Sequence, residues 1–457
     1  MFDLSAAAKA LAAELHGGDA KVVRVCTDSR ELRAGDLFVA LKGERFDAHR
    51  FVAQALEQGA AGAMVSDPAA AGTAGPLIVV EDTRLALGRL AAWWRSRFDL
   101  PLIAITGSNG KTTVKEMLAA ILRRHAGDDA VLATAGNLNN DIGMPLTLLS
   151  LREAHRYAVV EMGMNHLGEI AYLSRIARPT LALINNAGTA HIGEVGSVEA
   201  VARAKGEIFE GLGADGVAVV NGEDAFADYW RGLARGHRIA DFGLDKRATV
   251  TARYELENGG SLVTVRTPEE TFVVRLSQPG VHNVKNALAA ATAAWVVGVP
   301  SADIVAGLAI YKGVKGRLQR VALPGGATLL DDSYNANPES MKAALTVLGA
   351  TPGKKIFVMG DMGELGEAVG EMHAEIGAFA RRAGVDRLLA LGEWSASAVR
   401  AFGEHAGHFA SAEKLTAALK AEMEPGCTVL VKGSRFMRME RITAALQADV
   451  SQTEGGA

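Results

Sequence analysis

Cysteine is almost missing from this chain: its 457 residues include only Cys26 and Cys427, at opposite ends. Two such distant thiols supply neither a disulfide framework nor the Cys/His spacing of a zinc site. Both read as small buried apolar side chains in a reducing compartment. Aromatic residues are sparse, at 5%. An excess of one charge is missing too: 48 Lys+Arg against 52 Asp+Glu leave a net charge of −4. No global basic surplus points to a nucleic-acid polymer or an anionic membrane surface. No apolar run qualifies as a membrane span. The nearest, from Ala287, is broken by Gly298, Pro300 and Asp303 and reads as two buried helices joined by a turn. The N-terminal stretch carries Asp3 and no basic region, so it reads as an amphipathic helix and not as a signal peptide. The expectation from these absences is a cytoplasmic protein.

Glycine, by contrast, is abundant: 51 residues, against a usual ~7% of a chain. A glycine-rich, aromatic-poor composition suits α/β layers with tight turns and close backbone approach to ligands. At roughly 100–200 residues per domain, the length suggests about three domains. Apolar runs at 22–28, 36–41, 61–66 and 77–82 read as strands, and 49–59 and 84–98 as helices. Asp99 and Pro101 mark a boundary near 98. Strands are expected again within 157–163, 180–188 and 216–224, and an antiparallel excursion over 247–277. Helices follow at 283–297 and 301–311, and the glycine- and lysine-bearing stretch 312–317 reads as a hinge. The alternation then restarts, with strands near 328, 355, 387 and 428. Such alternation predicts parallel sheets covered by helices. The domains are expected at 1–98, 99–315 and 316–457, with a disordered polar tail from Ser451.

One motif carries explicit chemistry. The apolar run Ile103–Thr106 enters Gly107-Ser108-Asn109-Gly110-Lys111-Thr112-Thr113 and then a helix with one apolar face. Glycines let successive backbone N–H groups turn onto an anion, and the helix N-terminus adds its positive end. Lys111 would reach the β/γ phosphates and the Thr112 hydroxyl would hold magnesium. The common phosphate-loop pattern has four residues between its glycines, but here there are two, and Ile105 stands where the longer pattern has glycine. The loop alone leaves kinase, GTPase, motor and ligase open.

The shortened loop ITGSNGKTT resembles that of the Mur ligase family, the ATP-dependent amide ligases of peptidoglycan precursor synthesis. Further matching segments follow in order: GNLNNDIGMPLTLL (136–149), VVEMGMNHLGEI (159–170), NNAGTAHIGEVGS (185–197), ARAKGEIFEGL (202–212), GVHNVKNALAA (280–290), GRLQR (316–320), DDSYNANPESM (331–341), VMGDMGELG (358–366) and VKGSRFMRME (431–440). Near the start, TDSRELRAGDLFVALKGERFDAHRF (27–51) is similar to the family's uridine-nucleotide domain. DDSYNANP stands where the family's tripeptide-forming relative carries a DYAHTPD-like element, so the resemblance favours a dipeptide as the incoming group. The resemblance implies an α/β fold of three domains: an N-terminal UDP-binding domain, a central P-loop ATPase domain with a parallel sheet, and a C-terminal Rossmann-like domain. It implies ATP-dependent ligation of D-alanyl-D-alanine to UDP-N-acetylmuramoyl-tripeptide, with ATP and magnesium as cofactors and a monomer as the default. The rivals are a sibling ligase adding one amino acid, a P-loop small-molecule kinase and a nucleotide-sensing module.

The resemblance also implies roles for single residues. Lys111 and the N–H groups of Gly107 to Thr113 hold the triphosphate, while Thr112 and Glu161 ligate magnesium. Read alone, Glu161 could equally be a strand-end or capping acid. An isolated loop histidine such as His191 is usually structural, but the family implies a second magnesium ligand. Lys205 alone would be a solvated helix lysine; the family implies a carbamoylated, metal-binding side chain. Asn283 and Asn286 fall at adenine, with helix capping as the alternative. Arg317 offers a planar fork to phosphate, Asp332 faces ribose, and Tyr334 and Asn335 line the nucleotide or dipeptide site. For Asp331 a structural role is as well supported as a functional one. Thr27, Asp28, Ser29, Arg30, Gly43 and Asp47, with His49 nearby, face the uridine nucleotide. Asn137, Asn140 and Asn165 face the muramoyl-peptide. Asp361, Ser434 and Arg435 lie near the dipeptide, with strand-end capping as the alternative.

Overall fold

The structure, a computed structural model, describes residues 1–453 apart from 45, 73, 74, 246 and 258. It contains three main sheets in chain order. The first has five strands in the order Glu14–His16, Leu77–Val79, Gly62–Val65, Asp36–Val39 and Arg24–Cys26; only the Glu14–His16 pairing is antiparallel. The last has six, in the order Gln319–Ala322, Thr328–Asp332, Thr428–Lys432, Lys355–Gly360, Arg387–Leu391 and Ala406–Phe409. There the antiparallel partner is the edge strand Gln319–Ala322.

The central sheet has nine strands. Leu102–Thr106 lies between Tyr157–Glu161 and Leu181–Ile184, all parallel, with Val131–Ala133 at the outer edge beside Tyr157–Glu161. Val217–Asn221 and Arg238–Gly243 extend it beyond Leu181–Ile184, and Val250–Glu257, Gly260–Arg266 and Thr271–Leu276 close it as an antiparallel meander. Leu102–Thr106 is buried along its whole length, as expected of a strand covered on both faces. The antiparallel excursion falls where the sequence suggests. Arg238–Gly243 has no counterpart in that reading, because RIADFG lacks an apolar run and is held by its parallel partner Val217–Asn221.

The chain boundary near 98 is not a gap in packing. The helix Thr83–Arg95, capped by Asp82 through Arg84 N and Leu85 N, packs against Gly143–Leu149 and Glu169–Ala177. Leu87, Leu90 and Trp94 share one apolar core with Leu148 and Leu173, and Trp94 Nε1 donates to Leu151 O at 3.1 Å. At Gly88 a side chain would meet the Tyr172 hydroxyl and Ile176, so glycine lets two helices touch. The stretch 312–317 contains Gly313 and Gly316, both at positive φ. Both cysteines are free and buried. The terminal helix runs from Glu440 through Thr453, further into the polar tail than the sequence suggests; residues 454–457 lie outside the described ones. Among the described residues no helix is long and apolar enough to cross a membrane.

Candidate active site

Parallel neighbours end on the same edge of a sheet, and loops leaving that edge form the natural crevice of an open α/β sheet. At this edge the central strands end in Thr106, Glu161, Ile184 and Asn221. The segment Gly107–Gly110 therefore emerges between Glu161 on one side and Asn185 on the other. A cavity of about 850 Å³ opens here, walled on its far side by the C-terminal domain through Arg317, Asp332, Tyr334, Asn337, Lys432 and Arg435.

The loop is held by amides. Asn186 O accepts from Ser108 N at 2.9 Å and Asn186 Oδ1 accepts from Asn109 N at 2.8 Å. Asn109 O accepts from Asn185 Nδ2 at 2.9 Å and from Asn186 Nδ2 at 3.0 Å. Asn185 Nδ2 also reaches Asn286 Oδ1 at 3.0 Å. Gly110 sits at φ +77°, and a Cβ there would collide with Asn286 and Asn185. Lys111 opens the helix Lys111–Ala126 and curls back so that Nζ donates to Gly107 O at 2.6 Å. Burial pulls its pKa down. Ser108 Oγ accepts from Gly188 N at 2.9 Å, and Thr113 lies in the buried first turn of the helix.

Next to the loop, Thr112 Oγ1 donates to Glu161 Oε2 at 2.9 Å and accepts from Arg317 Nη2 at 3.0 Å. Glu161 Oε1 accepts from Asn139 Nδ2 at 2.7 Å. The Arg317 guanidinium lies 4.3 Å from the Tyr334 ring centroid, and Arg435 lies 5.6 Å from the same ring. Lys205, on the helix Val198–Gly206, is fully buried, and its Nζ has no hydrogen-bond partner. Burial, and then the nearby Lys111 charge, push its pKa well below that of an ordinary lysine. A shift in that direction favours the uncharged amine over the ammonium. His191 adopts φ +65° and puts Nδ1 2.7 Å from Glu364 Oε2 of the C-terminal domain. The two domains meet further at Thr189, which donates through N (3.1 Å) and Oγ1 (2.7 Å) to Glu339, and at Asn109 Oδ1, which accepts from Asn337 Nδ2 at 2.8 Å. Among the described residues no three His, Cys, Asp or Glu side chains form a metal cage.

The structure thus gathers Ser108 to Thr113, Glu161, His191, Asn137, Asn165, Asn283, Asn286, Arg317, Asp332, Tyr334, Asn335, Ser434 and Arg435 around one cavity. Asn283 and Asn286 meet the cavity wall, though Asn286 Oδ1 is engaged by Asn185. Asp332 is bound to Lys432 Nζ at 2.6 Å and to Leu318 N at 3.0 Å. Asp331 turns inward, accepting from Ser333 N and Oγ.

Other expectations change. Asp361 does not line the cavity: its carboxylate accepts from Glu393 N (2.8 Å), Trp394 N (3.3 Å) and Ser395 N (2.7 Å), capping the helix Ser395–Phe402. Asn140 also lies off the cavity. It caps Gly143–Leu149 through Gly143 N at 2.8 Å, while its neighbour Asn139 makes the contact to Glu161. Thr27, Asp28, Ser29, Arg30, Gly43 and Asp47 share the outgoing ends of adjacent strands in the first sheet, outside the cavity. Asp28 pairs with Arg30, which lowers its pKa to about 2, and Asp47 holds the buried His49 through Nδ1 at 2.6 Å.

Sequence reasoning missed Asn139, Asn185, Asn186, Asn337, Glu339, Glu364 and Lys432. The asparagine pair at 185–186 directly after the strand Leu181–Ile184 was the signal available.

Comparisons with known proteins agree with this arrangement. Residues 21–95 match the Mur ligase family catalytic domain, 105–294 the Mur ligase middle domain, and 316–435 the Mur ligase glutamate ligase domain. The chain is 44% identical to the UDP-N-acetylmuramoyl-tripeptide–D-alanyl-D-alanine ligase of Escherichia coli over 95% of this chain and 96% of that one. It is 36% identical to the Bacillus subtilis ligase of the same name over 92% of each. A crystal structure of MurF from Acinetobacter baumannii superimposes with a TM-score of 0.91 at 40% identity, covering 97% of this chain and 98% of that one. The Thermotoga maritima MurF structure in complex with ADP gives 0.83 at 29% identity, covering 94% and 98%. With three family domains in order and relatives of this identity along nearly its whole length, the chain belongs to the Mur ligase family.

Proposed function

We infer that this chain is an ATP-dependent ligase of peptidoglycan precursor synthesis. It joins D-alanyl-D-alanine to UDP-N-acetylmuramoyl-tripeptide, releasing ADP and phosphate and giving UDP-N-acetylmuramoyl-pentapeptide. The observation that carries this is the contact of Arg317 with Thr112 beside Glu161: a second domain reaches the phosphate loop inside one shared cavity. A carboxylate and an amine do not condense in neutral water, because hydroxide leaves poorly. Transfer of the γ-phosphoryl group to the tripeptide carboxylate gives an acyl phosphate. The dipeptide amine then attacks its carbonyl carbon, the tetrahedral intermediate expels phosphate, and the amine proton passes to His191 or to solvent.

In this reading Lys111 and the loop N–H groups bind the triphosphate, and Arg317 balances charge building on the transferred phosphoryl group. Asn283 and Asn286 lie at the adenine end and Asp332 at ribose. Asn137 and Asn165 serve the muramoyl-peptide; Ser434 and Arg435 serve the dipeptide. The N-terminal turns at 27–30 and 43–47 serve the uridine end. Enclosure by the second domain keeps water from the acyl phosphate. Magnesium fits this donor set. Thr112 Oγ1 and the Glu161 carboxylate are hard oxygen donors 2.9 Å apart, and the buried, unpartnered Lys205 amine would add a further oxygen once carbamoylated. His191, engaged by Glu364 through Nδ1, has one ring nitrogen left, which would serve either magnesium or the amine proton but not both. Bound magnesium would neutralise the triphosphate. ATP and a UDP-linked substrate fit a cytoplasmic enzyme, and a cavity built by one chain fits a monomer.

The test is to incubate the protein with Mg-ATP, UDP-N-acetylmuramoyl-tripeptide and D-alanyl-D-alanine and weigh the products. Pentapeptide with equimolar ADP and phosphate is expected. ADP release indifferent to the dipeptide, or a preference for one free amino acid, would overturn the reading.

A further inference from the structure

Two lysine side chains are fully buried among the described residues, Lys205 and Lys115. The first belongs to the site above. The second has no place in that chemistry, yet a buried ammonium is costly unless its hydrogen bonds are met. Lys115 stands one turn into the helix Lys111–Ala126 and points away from the cavity. Its Nζ donates to Thr134 O at 2.6 Å and to the Glu116 carboxylate.

Thr134 ends the edge strand Val131–Ala133 and starts the loop toward Gly143. Its hydroxyl accepts from Glu161 N at 2.9 Å, and its own N donates to Val159 O at 3.0 Å. Five residues on, Asn139 holds Glu161 Oε1 and accepts from Gly163 N at 2.9 Å. Between these two anchors, residues 135–138 are exposed, and Asn137 lines the cavity. The nucleotide helix, the loop with Asn137 and Asn139, and the Glu161 backbone therefore meet at Thr134, and the ammonium of Lys115 is what joins the helix to it.

We propose that Lys115 is a positioning residue for the ligation: through Thr134 it holds Glu161 and the Asn137–Asn139 loop in register with the phosphate loop. It touches neither nucleotide nor acceptor. A methionine would fill the same space without the desolvation cost, so the ammonium is retained for where it fixes Thr134 and not for burial. The proposal rests on the ligase reading above.

The test uses Lys115→Met in the full chain, with Thr134→Val as a second variant that keeps the branched shape and deletes the acceptor for Glu161 N. Losing one charge-assisted hydrogen bond at this joint should lower kcat about tenfold. KM for the UDP-linked acceptor should rise, while KM for ATP stays within about twofold. The double variant should be no worse than the poorer single one. Hydrogen exchange at the Glu161 amide should speed up in both variants. Should Lys115→Met fail to fold, Lys115→Gln carries the comparison, because its shorter amide gives up the bond to Thr134 O. A folded Lys115→Met with wild-type kcat and acceptor KM, a loss confined to ATP KM, or an unchanged Glu161 amide would overturn the proposal. If the wild-type chain makes no pentapeptide, the ligase reading fails, and the exchange measurement alone decides whether Lys115 holds Glu161.

Discussion

Replacing Asn185 with alanine removes the amide that bonds both Asn109 O and Asn286 Oδ1. The two acceptors fare differently. Asn109 O keeps its bond from Asn186 Nδ2 at 3.0 Å, so it loses little. Asn286, 6% exposed, has its Oδ1 stranded in a buried site. A stranded buried acceptor costs roughly 1–3 kcal/mol. Part of that cost is relieved if the loop from Gly107 to Gly110 loosens, which means a nucleotide must re-order it on binding. ADP affinity should therefore weaken by some of that amount, at most roughly 150-fold, the equivalent of 3 kcal/mol. Isothermal titration with ADP measures it directly, and a thermal melt confirms that the variant is folded. Asn286→Ala removes the acceptor itself, so Asn185→Ala combined with Asn286→Ala should bind no more weakly than the worse single variant. A folded Asn185→Ala that binds ADP as tightly as the parent would refute the idea that this amide pre-orders the phosphate loop.

Three further outcomes are expected. Lys205→Met deletes an unpartnered buried amine, so it should raise stability by about 1–3 kcal/mol while abolishing ligation; Lys205→Ala should regain turnover with small added carboxylates if a carbamate acts there, and full activity of either variant would remove Lys205 from the chemistry. Asp361→Ala should cost about 2–4 kcal/mol in a denaturant melt through its lost helix cap, yet leave KM for D-alanyl-D-alanine unchanged; a selective rise in that KM would restore Asp361 to the binding site. The His282 ring is half-buried at the cavity wall, and loss of solvent there lowers its pKa to about 4 from 6.5. The unfolded chain takes up this proton first as pH falls, so stability present above pH 6.5 drains away toward pH 4, by at most roughly 3 kcal/mol. His282→Gln should flatten that part of the pH profile, and an unchanged slope would refute it.

What could be read in advance was what is local. The phosphate loop is a strand, two glycines, a lysine and a helix in eleven consecutive residues, so its geometry follows from backbone rules alone. Glu161 ends an apolar strand near the loop, which alone leaves a capping role equally open; the family resemblance tips it to a ligand. The asparagine clamp was not, since Asn185 and Asn286 meet only when Leu181–Ile184 pairs beside Leu102–Thr106 and the helix Val281–Val296 covers the sheet. Glu339 and Glu364 look like ordinary surface acids until another domain brings Thr189 and His191 to them. Asp361 misleads for the same reason: a strand-end aspartate beside glycine resembles a ligand-binding turn, but its three donors lie more than thirty residues downstream. Asn140 and Asn139 are a different case. In an irregular loop no period says which of two neighbours faces inward.

The amides that line the cavity carry a consequence for how it responds to its surroundings. Eleven of the lining residues are asparagines, against five cations (Lys111, Lys285, Arg317, Lys432, Arg435) and four carboxylates (Glu161, Asp332, Glu339, Glu364). Amides donate and accept without titrating. These eleven positions therefore keep the same hydrogen-bonding character across the physiological pH range, beside the titratable rings of His191 and His282. With formal charges nearly cancelling, little long-range field is left for salt to screen. Recognition of the uncharged parts of a ligand there depends on shape and bond direction and is buffered against changes in acidity, while a triphosphate still depends on the charges of Lys111 and Arg317.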